Sequence, residues 1–127
     1  MVIKLYELIP QILRENLDTL KNTLKNRYPG LVLQVHNMNF NKPTEYIYLS
    51  KIIVPSDRRE EGIGTKVMLE LCKYADQKNR MITLNPTDEF GGNVNKLKRF
   101  YKRFGFVENR GKYKNFEISD DMYRLPK

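Results

Sequence analysis

Near the start of the chain the apolar residues Ile9, Ile12, Leu13, Leu17, Leu20 and Leu24 recur at spacings of three and four. That period is one face of an α-helix, and it predicts a helix from Leu8 to Asn26. Pro10 is tolerated because it falls in the first turn, where its missing N–H is not needed. Pro29-Gly30 stops the helix. From Leu31 to Val35 the alternation changes to two, which reads as a strand that can extend to Phe40. Asn41-Lys42-Pro43 carries turn chemistry. Tyr46 to Val54 is rich in aromatic and β-branched residues and predicts a largely buried strand, ended by Pro55.

Helical spacing returns from Gly64 to Asn79, with Val67, Met68, Leu71, Cys72 and Ala75 on one face. Met81 to Leu84 reads as a short strand, and Asn85 to Gly92 as a loop. Val94, Leu97, Phe100, Tyr101 and Phe104 then mark a helix from Val94 to Phe104. Gly105 is placed to cap its end. Closing strands are expected near Phe106 to Glu108 and Met122 to Leu125, and Val2 to Tyr6 is compatible with an added edge strand. This order predicts a mixed α/β domain around one sheet.

The 127 residues fit one domain, positions 1–127. A 40% hydrophobic content is too high for a disordered chain. Cys72 is the single cysteine, which excludes an internal disulfide and points to a reducing compartment. The first residues lack a signal-peptide layout, and no apolar run nears the ~20 residues of a membrane span. The expectation is a cytoplasmic protein.

The net charge is +8, and positions 96–114 alone carry +7, because eight basic residues face only Glu108. Such a field concentrates anionic partners: a nucleotide cofactor, an acidic protein or a nucleic acid. No nucleic-acid-binding motif accompanies it, so nucleic acid is the weaker reading. No Cys, His and carboxylate cluster has metal-ligand spacing, and no metal is expected. Cys72, beside Met68 on an apolar face, reads as a packed thiol, and His36 as a strand histidine without a catalytic pair.

The chemistry concentrates in Val54-Pro55-Ser56-Asp57-Arg58-Arg59-Glu60-Glu61-Gly62-Ile63-Gly64-Thr65. A buried strand ends, a charged turn follows, and two glycines open a helix. A helix start offers unpaired N–H groups and a positive dipole end, and glycine lets an anion approach the backbone. A dinucleotide fingerprint needs a third glycine where Val67 stands. A Walker loop needs Gly-Lys-Ser/Thr, whereas the order here is Gly64-Thr65-Lys66. The pattern that fits is Arg/Gln-x-x-Gly-x-Gly/Ala, met by Arg59-Glu60-Glu61-Gly62-Ile63-Gly64. Farther on, Asn93-Val94-Asn95 leads a helix ending Phe100-Tyr101-Lys102-Arg103-Phe104-Gly105-Phe106.

Together and in this order, these segments resemble the two signatures of the GNAT family of N-acetyltransferases, over Tyr46 to Leu125. The resemblance implies a mixed, mostly antiparallel central sheet flanked by helices. It also implies an acetyl-CoA co-substrate and transfer to a primary amine by direct attack. Backbone atoms of Ile53, Val54 and Pro55 would pair with the pantetheine arm. Amides from Arg59 through Glu60, Glu61, Gly62, Ile63, Gly64 and Thr65 would hold the pyrophosphate. Asn93 or Asn95 would contact the pantetheine side, and Lys98 and Lys102 are candidates for the 3′-phosphate. Tyr101 would protonate the leaving thiolate; its alternative is a core aromatic.

Pro86 to Gly92 is a candidate acceptor loop. Asp57, Asp88, Glu89 and Glu45 are the carboxylates nearest the site in sequence, with none singled out as base. Only one helix and one clear strand precede Tyr46, so the N-terminal part is shorter than the family's. A homodimer would supply the missing acceptor wall. A GNAT-like module that binds acyl-CoA or a partner without catalysis is the alternative.

Overall fold

Residues 16–39, 45–87 and 93–127 are described in the computed structural model. The first helix, α1, spans Leu17–Arg27. It does not continue back to Leu8 as one helix. Asn16 is extended, and its side chain accepts from the Thr19 amide at 2.8 Å, so the helix has its own N-cap there. The leucine spacing concealed this start because the apolar period runs on across it. Positions 8–15, and the proposed strand from Val2 to Tyr6, lie outside the described residues.

The described residues form a five-stranded sheet, ordered β1-β2-β3-β5-β4. The strands are β1 (Val32–Asn39), β2 (Glu45–Ile53), β3 (Met81–Leu84), β4 (Val107–Glu108) and β5 (Met122–Arg124). Only β2 and β3 run parallel; the other three pairings are antiparallel. The parallel pair is joined through a 3₁₀ turn (Ser56–Glu61) and helix α2 (Ile63–Gln77). Helix α3 (Val94–Lys102) lies between β3 and β4 in the chain.

Strand alternation sends Ile47, Leu49, Ile82 and Leu84 to one face, where they are buried. Leu20 and Leu24 of α1 and Val67, Met68 and Leu71 of α2 belong to the same core. Arg27 of α1 lies 3.9 Å from Glu70 of α2. Arg124 of β5 reaches Asp76 of α2 in a two-point contact at 2.8 and 3.0 Å. Cys72 is buried there, and burial pushes its thiol pKa up, as suits a packed sulfur.

The opposite face carries Tyr46, Tyr48, Thr83 and Tyr123. A segment from Asn109 to Asp121 folds over it, tied by the Tyr123 hydroxyl donating to the Tyr113 carbonyl. Buried Asn109 braces the segment: its Nδ2 donates to the carbonyls of Ile118 and Asp120, and its Oδ1 accepts from the Asn115 amide. No periodicity announces this brace, because its hydrogen bonds belong to irregular chain. Gly105 does stop the second signature helix, with φ +97.

Candidate functional site

The site begins with a mismatch in strand length. β2 has nine residues, but its pairing with β3 covers only Tyr46↔Met81 to Leu49↔Leu84. At the same point β2 bulges: Gln34 pairs with Lys51 and Val35 with Leu49, leaving Ser50 as the extra residue. Beyond it, Lys51 to Ile53 stay paired with β1 but turn their other edge to a cleft of about 480 Å³. Along such an edge the backbone can pair with an extended ligand as with a missing strand.

The remaining walls come from three elements. Gly62, Gly64 and Thr65 stand at the start of α2; Leu84 ends β3 and Asn85 to Thr87 follow it; Leu97, Phe100, Tyr101 and Arg103 come from α3 and its end. Gly62 has φ +71, a left-handed backbone that suits glycine, and an added Cβ there would meet nothing within 4 Å. The amides of Ile63, Gly64 and Thr65 precede the first intrahelical bond of α2, from Lys66 N to the Gly62 carbonyl. They therefore offer donors at the positive end of a 15-residue helix.

Tyr101 is 7% exposed and packs edge-on against Phe100 and Phe106, with ring centroids 5.3 and 5.8 Å away. Burial pushes its phenol up to about 12. The hydroxyl is therefore protonated throughout the neutral range.

A family comparison matches positions 30–108, more than half of the chain, to the model described as "Acetyltransferase (GNAT) domain". The chain belongs to the GNAT acetyltransferase family. GNAT domains generally take acyl-CoA, and the cleft here is extended and ends at the amides of a helix start. A solved structure of the histone acetyltransferase HPA2 and related acetyltransferase from Corynebacterium glutamicum is similar at 18% identity and a TM-score of 0.46. That likeness covers 71% of this chain and 46% of the other, so this chain spans less than half of that protein. No curated protein matches the sequence.

Several residues singled out in the sequence of this GNAT domain converge on the cleft: Ile53, Val54, Gly62, Gly64, Thr65 and Tyr101. Pro55 precedes the 3₁₀ turn that holds the backbone of Arg59, Glu60 and Glu61, and Ile63 is buried beneath. The Glu61 side chain is turned to Arg58, at 3.0 Å.

Others stand elsewhere. Asn93 caps α3, accepting from the amides of Asn95 and Lys96, and Asn95 is exposed. Lys98 and Lys102 bind Glu108 at 3.0 and 3.1 Å, away from the cleft lining. With Arg110 beside them, these lysines hold the Glu108 carboxyl at about 2. Of the candidate carboxylates, Glu45 pairs with Arg80 and Asp57 sits in the 3₁₀ turn. Asp88 and Glu89, with the rest of the acceptor loop past Thr87, lie outside the described residues. Among the described residues no carboxylate lines the cleft.

Sequence reading missed Arg103, Ser50 and Asn85 as cleft residues. Arg103 stacks on Phe100 at 5.0 Å from the ring centroid and has no carboxylate partner among the described residues. Its signal was present: it follows Phe100 by three, the spacing that shares a helix face. Ser50 carried no such signal, because a bulge is a property of strand pairing. Among the described residues no helix is long and apolar enough to cross a membrane, and no group of three metal-ligating side chains occurs.

Proposed function

We propose that the protein transfers an acetyl group from acetyl-CoA to a primary amine in a ternary complex, without an enzyme-bound acyl intermediate. The observation that carries this reading is the cleft where β2 outruns β3, with a glycine-opened helix at one wall and Tyr101 in its lining. In it, the cleft-facing edge beyond the end of the β2–β3 pairing holds the pantetheine arm by main-chain hydrogen bonds. The amides of Gly62 to Thr65 hold the diphosphate. Arg103, rather than Lys98 or Lys102, supplies the side-chain cation, since those lysines already neutralise Glu108.

The neutral amine nitrogen attacks the thioester carbonyl carbon, a C–N bond forms, and the C–S bond then breaks. Tyr101 donates its proton to the departing sulfur, which avoids releasing a thiolate. The surplus proton on nitrogen passes to a base or to water. Holding both reactants at one strand edge supplies much of the acceleration. No enzyme nucleophile is required, and buried Cys72 is not asked to be one.

Acetyl-CoA at saturating concentration raises the melting temperature, and an amine panel releases free thiol. A melting temperature indifferent to acetyl-CoA contradicts the reading. Thermal stabilisation without thiol release from any amine supports the non-catalytic alternative.

A further inference from the structure

Beyond the cofactor side, the geometry points to an aliphatic primary amine as acceptor, entering from the sheet face opposite the helices and docking on Asp120 as its ammonium ion, which gives up a proton to water before the nitrogen attacks. This rests on the acyl-transfer reading above. Two cleft-lining side chains lead through to that face. Ser50, on β2, has its hydroxyl 3.2 Å from His36 Nε2. Asn85, just past β3, donates to Asp120 Oδ1 at 2.8 Å and lies 3.4 Å from the Tyr48 hydroxyl. Ser50 and Asn85 thus flank the place where the two strands part.

Asp120 is the carboxylate on this path, and its surroundings suit a cation. Asp18, Glu45, Glu61, Glu70, Asp76 and Glu108 each have a Lys or Arg within 4.0 Å. Asp120 has none among the described residues, and unlike Asp57 and Asp121, which also have none, it is half-buried rather than exposed. A half-buried carboxylate without a counter-charge forgoes the partner that offsets its desolvation.

Tyr46 lies near it, and Tyr48 meets the same Asn85 amide. Burial first, and the Asp120 charge second, raise the Tyr46 phenol pKa, so the two groups are close. The Tyr48 ring stacks with His36 at 6.4 Å. A carboxylate with adjacent tyrosine rings is a surface that attracts an alkylammonium. Next to Tyr48 in the register, on the same face, Thr83 has a fully buried hydroxyl without a partner among the described residues. Buried hydroxyls usually have a partner, which marks this face as incomplete. Asp120 is held in position by the Asn109 brace, which bonds its carbonyl at 3.0 Å.

The test is a titration of isotope-labelled protein with butylammonium at neutral pH, reading the Asn85 side-chain amide and the Asp121 backbone amide by NMR. Asp121 N donates to Asn85 Oδ1, so both signals report on the site. Butyramide, uncharged and of similar shape, is the parallel probe. The expected result is a saturable shift with butylammonium and none with butyramide. Asp120→Asn, which keeps an oxygen for Asn85, weakens binding at least tenfold, while Asp121→Asn titrates like the parent.

Wild-type signals that do not saturate, or that follow both probes equally, overturn the proposal without need of a variant. So does an Asp120→Asn protein, folded by its spectrum, that binds as tightly as the parent. The acetyl-CoA melting shift is read separately, so failure of the cofactor reading is distinguishable from failure of this one.

Discussion

Tyr101 is a core residue to which the proposed function also gives a chemical role. Its ring fills space between Phe100 and Phe106, while its place in the cleft lining leaves the hydroxyl without a partner among the described residues. A phenol held at about 12 stays a proton donor up to strongly alkaline pH. Tyr101→Phe should therefore lower turnover by roughly 10²-fold or more, the range of positioned general acids, with acetyl-CoA affinity unchanged. Steady-state rates and a direct binding titration separate the two effects.

Arg103→Ala should weaken CoA binding by about tenfold, roughly 1.4 kcal/mol, by removing the cation at the cleft wall. Calorimetry reads that loss directly. At Gly62, φ +71 makes any side chain strained, so Gly62→Ala should cost about 1–2 kcal/mol of stability. An unchanged denaturation midpoint for that variant would show that the bend relaxes freely.

At the scale of elements, what was legible followed from period and punctuation. The bounds of β2 and β3 are within a residue of expectation because β-branched runs and Pro55 define them. The helix opened by Gly62 and the one stopped by Gly105 were readable from their glycines. Two features were not. The break at Asn16 is a local side-chain hydrogen bond that leaves the apolar period intact. The Ser50 bulge depends on how β1 and β2 align, which no single segment encodes. The glycine-opened start of α2 was legible because its spelling is local; Asn85 and Arg103 join the cleft lining only through tertiary placement.

The Glu108 triad belongs to this scale, since it ties α3 to β4. Its carboxyl is held near 2, below the ordinary 4.5, so the unfolded chain binds the extra proton between those values. The triad's contribution is thus present above about 4.5 and is lost as pH falls toward 2. Glu108→Gln should flatten the pH dependence of stability in that window and lower stability at neutral pH, where the contribution is fully present. Denaturant midpoints across the acid range check this.

For the whole molecule, one face of the sheet is committed to packing and the other to an irregular cover. Leu71, fully buried under the sheet, should cost about 2–5 kcal/mol when cut to alanine. That loss should not change cofactor affinity per folded molecule, because the cleft is built from strand ends and helix starts. Positive charge is concentrated toward α3 and the segment after it, a field that favours anionic over cationic ligands. The proposed Asp120 site is a local exception to that field.

The central claim is that the cleft-facing edge of β2 and the start of α2 bind one extended, phosphorylated ligand. Amide hydrogen exchange with and without saturating CoA tests it most directly. The account predicts slowed exchange at Ile52, Ile53 and Val54 together with Gly62, Gly64 and Thr65, and little change in α1. Exchange at those amides that is identical with and without CoA would contradict it.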